Sequence, residues 1–104
     1  MTDKLLLLTT AGSESEAKKI AEMLVERRLA ACVNIAPRIF SIYRWQGKME
    51  SAEEFLLLIK TGKEREAAVE AAIRELHSYE LPECISISIE GGSAEYLKWI
   101  TESL

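Results

Sequence analysis

Two short runs of consecutive apolar residues, Leu5–Leu8 and Phe55–Ile59, limit the folds open to this chain more than any other feature. Neither run is long enough for a core helix, and neither alternates apolar with polar residues. Such runs are typical of strands that are buried on both faces of a sheet. The chain therefore needs enough secondary structure, from itself or from a partner, to cover a sheet on two sides.

Three other segments have the three- and four-residue periodicity of amphipathic helices. A hydroxyl residue followed three positions later by glutamate marks two predicted capping boxes, at Ser13 and Glu16 and again at Thr61 and Glu64. Ser93 is the predicted N-cap of the last helix. The expected buried stripes are Ala17, Ile20, Ala21, Leu24 and Val25 in the first helix, Val69, Ala72, Ile73 and Leu76 in the second, and Leu97, Ile100 and Leu104 in the third.

The remaining segments have the patterns of strands. Residues 30–44 are rich in β-branched and aromatic side chains, and they form a long predicted strand that Pro37 bends or bulges at a sheet edge. Gln46-Gly47 is typical of a tight hairpin turn, which leads into a return strand over residues 49–60. Residues 84–90 alternate isoleucine with cysteine and serine, as in a strand with two different faces.

The order of these elements, β-α-β-β-α-β-α, is that of a ferredoxin-like split βαβ unit with an added C-terminal helix. We therefore expect an α+β sandwich in a single domain, residues 1–104, with a long β-hairpin that projects beyond the sheet. Both helices of such a unit cover one face, so the other face of the two apolar strands would be exposed. Assembly of identical subunits would cover that face and protect the free strand edges, and the sequence accordingly predicts an oligomer.

Composition argues against several classes of partner. The formal net charge is −4, and no lysine or arginine cluster offsets it, so we expect no nucleic-acid binding. No apolar run approaches the roughly 18 residues of a membrane span, and the N-terminal apolar stretch is too short for a signal peptide. These two observations predict a cytoplasmic protein without a membrane partner. Cys32 and Cys84 lie in apolar strands, where free cysteine usually packs as a small hydrophobe.

Four motifs carry a resemblance to a known family. The segment His77–Glu83, H-S-Y-E-L-P-E, joins a predicted helix to a predicted strand and holds the only histidine of the chain. The other three are L-A-A-C-V-N-I at Leu29–Ile35, Y-R-W-Q-G-K at Tyr43–Lys48 and I-K-T at Ile59–Thr61. In this order and at this spacing they resemble the motifs of the CutA family, the divalent-cation tolerance proteins. The resemblance runs from about Leu5 to the C-terminus and implies a homotrimer that acts in tolerance of divalent metal ions, copper in particular.

His77 is the candidate metal ligand, because imidazole is the commonest protein ligand for metals. Cys32, Cys84, Glu80 and Glu83 are the residues that could complete a copper or zinc site with it. The alternative is a histidine that makes one hydrogen bond in a loop or an interface. No pair of these residues has the spacing of a tight metal motif.

The family comparison weakens the metal prediction. Members of the family proposed to bind copper have a cysteine at the end of the first strand and two adjacent histidines before a proline. At the matching positions this chain has Thr9, Leu76-His77 and Ser78. The resemblance therefore implies that Cu(II), or another divalent cation, binds weakly.

Lys60 marks a second candidate site, because it ends an apolar strand just before a helix N-terminus, where an anion is favoured. A salt bridge with a glutamate is the alternative. In the CutA family, clefts between subunits gather residues that match several positions here, and the candidates for such a cleft are Lys60, Tyr79, Glu80, Trp45, Cys32 and Glu83.

The alternative function is a trimeric sensor or adaptor, similar in fold to the PII signalling proteins, that binds a small anion in this cleft. A thiol hydrolase that uses Cys32 or Cys84 with His77 is the least supported reading. No local motif of a nucleophile or of a phosphate-binding loop is present. We therefore expect a protein that is not an enzyme.

Overall fold

The computed structural model of the chain describes residues 2–104, which form one four-stranded antiparallel sheet and three α-helices. The elements are β1 (Lys4–Ala11), α1 (Glu14–Glu26), β2 (Cys32–Trp45), β3 (Lys48–Gly62), a 3-10 turn (Lys63–Arg65), α2 (Glu66–Leu76), β4 (Ile85–Ser88) and α3 (Ala94–Glu102). The strand order is β2-β3-β1-β4, so the predicted split βαβ fold and the edge position of β2 are confirmed. No helix in this part of the chain is long and apolar enough to cross a membrane.

The core lies between the sheet and the helices α1 and α2. Leu5 and Leu7 of β1 and Leu57 and Ile59 of β3 are buried on one face of the two central strands. The buried stripes of the two helices pack against them, and they consist of Ala17, Ile20, Ala21 and Leu24 in α1 and Val69, Ala72 and Ile73 in α2. The predicted stripes of α1 and α2 are thus confirmed except at two positions: Val25 is 43% exposed, and Leu76 is only partly buried at the edge of the core. In the third predicted stripe Ile100 is buried, whereas Leu97 and Leu104 are half-buried.

The opposite face of the sheet is covered only in part. Leu6 and Leu8 of β1 face this side, and β4 places Ile87 and Ile85 directly beside them. Both isoleucines remain about half exposed. The third helix, α3, contacts β3 and buries Ile100. A single chain therefore has an exposed apolar patch where the sequence predicted one.

The β2–β3 hairpin projects beyond the other strands. Its turn residues Gln46 and Gly47 have φ of 50° and 80°, the backbone of a two-residue turn that matches the twist of a hairpin. The ladder is interrupted between Ala36 and Ile39, so the bulge predicted around Pro37 is confirmed. An apolar stripe along this hairpin is highly exposed, with Phe40 at 78%, Ile42 at 73% and Met49 at 76%.

The first predicted capping box forms only in half. The Ser13 hydroxyl accepts a hydrogen bond from the Glu16 backbone N–H at 3.2 Å, which satisfies one of the free donors at the start of α1. The Glu16 carboxylate is engaged elsewhere, because one of its oxygens accepts a hydrogen bond from the Ser78 N–H at 2.8 Å. This contact ties the start of α1 to the loop that follows α2.

The second predicted capping box is wrong. Thr61 is fully buried at the end of β3, and its hydroxyl donates to the Leu29 carbonyl at 2.6 Å. The chain passes through Gly62 into the 3-10 turn, and Gly62 provides no side-chain cap. Burial between two segments that are distant in sequence therefore takes the hydroxyl away from the helix.

The last strand is shorter than predicted. Residues 84–90 alternate as expected, but only Ile85–Ser88 form a ladder, and they pair with β1 alone. The Ile89 N–H still donates to the Lys4 carbonyl at 3.0 Å. Cys84 instead packs against the edge of the core.

Candidate functional site

His77 follows α2 directly and is buried, at 9% exposure. Its Nδ1 lies 3.1 Å from the Tyr79 backbone nitrogen, and its Nε2 lies 2.5 Å from the Thr10 carbonyl oxygen. Because a backbone N–H can only donate, Nδ1 accepts, and Nε2 carries the proton that it donates to Thr10. Both ring nitrogens are therefore used within the chain, and the ring holds the loop after α2 against β1.

The nearest acidic group to this ring is Glu16, with a carboxylate oxygen 3.9 Å from Nδ1. Burial opposes ionisation of Glu16, but the hydrogen bonds from Ser78 outweigh it, so the pKa of Glu16 is lowered. The carboxylate is thus ionised at neutral pH and already occupied by hydrogen bonds.

The residues around His77 do not fit a resident copper or zinc ion within one chain. No group of three histidine, cysteine, aspartate or glutamate side chains converges anywhere in residues 2–104. Burial, and then the carboxylates of Glu70 and Glu66, raise the pKa of the Cys84 thiol, whereas a metal requires the thiolate. A metal at His77 would also displace one of its hydrogen bonds. Metal ligation by His77 therefore stays a prediction.

A cleft of about 450 Å³ opens between the β2–β3 hairpin and the loop that follows His77. Its lining residues are Thr10, Tyr43, Trp45, Glu54, Tyr79, Glu80, Leu81 and Glu83. Three of them are aromatic and three are acidic. A volume of this size is at the lower end of the range of small-molecule sites.

Glu54 and Tyr79 form the base of this cleft. The Tyr79 hydroxyl donates a hydrogen bond to Glu54 Oε2 at 2.7 Å. Glu54 is buried, with only 6% of the residue exposed. Burial, and then the hydrogen bond and the charge of Glu54, raise the pKa of Tyr79. The hydroxyl therefore remains a donor to the carboxylate. Gly12 allows the ring to approach, since a Cβ atom at this position would lie 3.1 Å from the Tyr79 hydroxyl.

Four of the residues predicted for a cleft come together here, namely Trp45, Tyr79, Glu80 and Glu83. Two do not. The Lys60 ammonium hydrogen-bonds the Asn34 side-chain oxygen and lies 4.0 Å from the Cys32 sulfur, on the part of β3 beside α3. The role of Lys60 and Cys32 in a cleft between subunits stays a prediction.

Glu54, the one buried carboxylate of the cleft, was not among the predicted site residues. The signal that was available is its spacing, because Glu54 lies two and four residues before Leu56 and Leu58 and thus on the same face of β3. A charged residue that continues an apolar face is unusual. Tyr43 also lines the cleft, and strand pairing places it on this same face.

Comparisons with known proteins agree with this fold and these motifs. A curated relative from Thermus thermophilus, described as "Divalent-cation tolerance protein CutA", is 45% identical over 98 residues, which are 94% of this chain and 95% of the relative. A Xenopus laevis relative, "Protein CutA homolog", is 50% identical over 91 residues. That match covers 88% of this chain but only 60% of the relative, so the chain spans well under the full length of some of its relatives.

Solved structures give the same result. The structure of CutA from Xylella fastidiosa superposes with a TM-score of 0.96 at 41% identity, over 98% of each chain. Another, from Archaeoglobus fulgidus, is described as a periplasmic divalent cation tolerance protein, with a TM-score of 0.93, 44% identity and coverage of 96% of this chain and 97% of that one. The family model for "CutA1 divalent ion tolerance protein" matches residues 5–103. With this match over nearly the whole length, the chain belongs to the CutA1 divalent ion tolerance family.

Proposed function

We propose that this chain acts in divalent-cation tolerance as a homotrimer in the cytoplasm. The main support for assembly is the exposed apolar stripe on the hairpin, which consists of Phe40, Ile42 and Met49. The half-exposed Ile85 and Ile87 on the open face of the sheet add to it. Single chains rarely expose so much contiguous apolar surface unless it is a binding surface. Identical subunits would bury both surfaces, and the family resemblance implies three of them.

The assembly is tested by native mass spectrometry and light scattering of the purified chain. The matched variants are Phe40→Ser with Ile42→Ser on the stripe, and Lys18→Ser with Lys19→Ser on the outer side of α1. We expect a trimer for the wild type and the lysine variant, and dissociated chains with unchanged circular dichroism for the stripe variant. A monomeric wild type, or a stripe variant that remains trimeric, would contradict the proposal.

The metal proposal is that Cu(II), or another divalent cation, binds weakly through His77. Two features of the chain support weak rather than tight binding. A metal must displace the contact of His77 with either Thr10 or Tyr79, and among residues 2–104 no two further ligands converge on the ring. Each displaced hydrogen bond reduces the metal affinity by its own net stabilisation, about 0.5–1.5 kcal/mol.

Electron paramagnetic resonance of the protein with one equivalent of Cu(II) tests this ligand. We expect nitrogen hyperfine coupling in the wild type and its loss in His77→Gln, whose amide can still hydrogen-bond Thr10. Glu90→Gln, at an exposed site after β4, is the matched control. A spectrum that His77→Gln does not change would show that copper binds elsewhere or adventitiously.

The anion-sensor alternative has less support from the contacts within one chain. Lys60 lies outside the cleft and is engaged by Asn34, and the Glu64 carboxylate lies over Gly62 at the entry to the 3-10 turn. Calorimetric titration with phosphate tests it, with Lys60→Ala expected to abolish any binding. Cell fractionation tests the cytoplasmic location against the periplasmic one described for the Archaeoglobus fulgidus relative.

A further inference from the structure

Cys32 and Lys60 bring a thiol and an amine together at the end of the β2–β3 hairpin that is remote from its turn. The two residues are direct partners in the strand ladder, and directly opposite residues of an antiparallel pair have their side chains on the same face. The Lys60 Nζ lies 4.0 Å from the Cys32 Sγ. Because strand pairing within one chain sets this proximity, any assembly of chains retains the pair.

Other side chains of the same chain surround this pair. Asn34 lies two residues further along β2 and therefore on the same face. Its side-chain oxygen accepts a hydrogen bond from the Lys60 ammonium and lies 4.0 Å from the Cys32 Sγ. Tyr96 of α3 lies near the sulfur as well, and burial followed by the charge of Cys32 raises the pKa of the Tyr96 hydroxyl. The pair thus lies beside α3 and apart from the exposed apolar stripe of the hairpin.

The two cysteines of the chain differ in their surroundings. A small oxidant can reach Cys32, because Cys32 and Lys60 are both only half-buried. Cys84 is also half-buried, but burial and then the carboxylates of Glu70 and Glu66 raise the pKa of its thiol. A protonated thiol is a poor nucleophile. The adjacent amine therefore distinguishes Cys32 as the cysteine at which oxidation leads to a specific product.

We propose that hydrogen peroxide joins Cys32 and Lys60 in a covalent cross-link, a sulfenamide in which Sγ is bonded to Nζ. In the first step the Cys32 thiolate, its proton lost to water, attacks one peroxide oxygen, and the O–O bond breaks. Hydroxide leaves and takes up a proton, which gives water and the sulfenic acid. The peroxide accepts the two electrons that the sulfur loses.

The second step forms the cross-link without further oxidation. The Lys60 ammonium loses a proton to water, and the free amine attacks Sγ of the sulfenic acid. The S–O bond breaks, and the hydroxide leaves as water with a proton from the nitrogen. Because Nζ already lies 4.0 Å from Sγ, rotation of the lysine side chain is sufficient to close this distance.

The cross-link would fasten β2 to β3 and remove the positive charge of Lys60, and an added thiol would reverse both changes by attack on the sulfur. This redox modification goes beyond the proposed function and does not rest on it. It uses neither His77 nor a metal ion.

Mass spectrometry of the full Cys84→Ser chain, treated with a slight excess of hydrogen peroxide in its assembled state, tests this proposal. We expect each chain to lose the mass of two hydrogen atoms, which a disulfide within this single-cysteine variant cannot explain. Trypsin should no longer cleave after Lys60, and the fragment with Cys32 should stay joined to the fragment with Lys60. Dithiothreitol should restore both the original mass and the cleavage.

Lys60→Arg keeps the positive charge but has a guanidinium that stays protonated, so peroxide should add oxygen to Cys32 and form no cross-link. The matched control is Lys63→Arg, at an exposed position of the 3-10 turn, which should cross-link as fully as its parent. If Lys60→Arg does not fold, Cys32→Ser in the chain that retains Cys84 tests the same bond and should lose the cross-link. No loss of two hydrogens, or a cross-link that persists without Lys60 or without Cys32, would overturn the proposal.

Discussion

Replacing Tyr79 by phenylalanine isolates the contact at the base of the cleft, because it removes one oxygen and leaves the ring. The lost hydrogen bond joins the Tyr79 hydroxyl to Glu54 Oε2 at 2.7 Å. Hydrogen bonds to charged groups contribute about 1.5–3 kcal/mol to stability. Tyr79 is 37% exposed, so water can reach the vacated position and the loss should be near the lower limit. We expect the free energy of unfolding to fall by about 1.5 kcal/mol, or the melting temperature by roughly 6–12 °C.

Urea unfolding at one fixed chain concentration measures this change, since the stability of an assembled protein depends on its concentration. Tyr43→Phe is the matched control, because no hydrogen bond from the Tyr43 hydroxyl is present within residues 2–104. It should change stability by less than about 0.5 kcal/mol. A double-mutant cycle with Glu54→Gln should give a coupling energy of about 1 kcal/mol.

The same contact predicts a dependence on alkaline pH. Burial and then Glu54 raise the pKa of Tyr79 above its ordinary value of 10.0, so the folded chain holds this proton more tightly than the unfolded chain does. The stabilisation is fully present below pH 10.0 and is lost as the pH rises towards the folded pKa. Tyr79→Phe should remove this part of the alkaline loss. The reasoning is refuted if Tyr79→Phe costs no more than Tyr43→Phe, or if the coupling energy is near zero.

Three further changes test other contacts. Thr61→Val leaves the Leu29 carbonyl without its donor and should cost about 1–2 kcal/mol in urea unfolding, whereas Thr61→Ser should recover most of the loss. Gly12→Ala places a Cβ atom 3.1 Å from the Tyr79 hydroxyl, so it should destabilise the wild type more than it destabilises the Tyr79→Phe variant. Burial tends to raise the pKa of Glu16, but the hydrogen bonds that its carboxylate accepts outweigh this effect and lower the pKa below its ordinary value of 4.5. The ionised carboxylate therefore stabilises the fold above pH 4.5, and this stabilisation is lost as the pH falls. Glu16→Gln should therefore flatten the acid side of the stability profile, and an unchanged acid side would contradict the assignment.

The fold was predictable because its main signals are local. The two apolar runs identify β1 and the end of β3, Gln46-Gly47 has the residues that a tight hairpin requires, and Pro37 marks the interruption of β2. Thr61 was mispredicted for a tertiary reason. Its hydroxyl meets Leu29, a residue 32 positions away in sequence, and no local pattern reveals that contact.

The site was predictable only in part, because its parts belong to different segments. Family motifs point to Trp45, Tyr79 and Glu80, which the fold brings to one cleft. The sequence has glutamate at both 53 and 54, each of which continues one of the two apolar faces of β3, and only the fold determines that Glu54 is the one that is buried. The use of both His77 nitrogens likewise depends on the Thr10 carbonyl, which belongs to the opposite end of the chain.

The interruption in β2 reconciles two phases of side-chain alternation that differ by one residue. Between the pairs Ala36–Leu56 and Ile39–Glu54, β2 advances three residues while β3 advances two. On the turn side of the interruption, the turn determines which side chains of β2 point to each face, and Trp45 lies on the same face as Glu54. On the other side of the interruption, the core determines this, and Ile35 packs into the core. If one residue between them were deleted, the chain could satisfy the turn or the core but not both. The number of residues from Ile35 to the turn is thus under as strict a constraint as their identities.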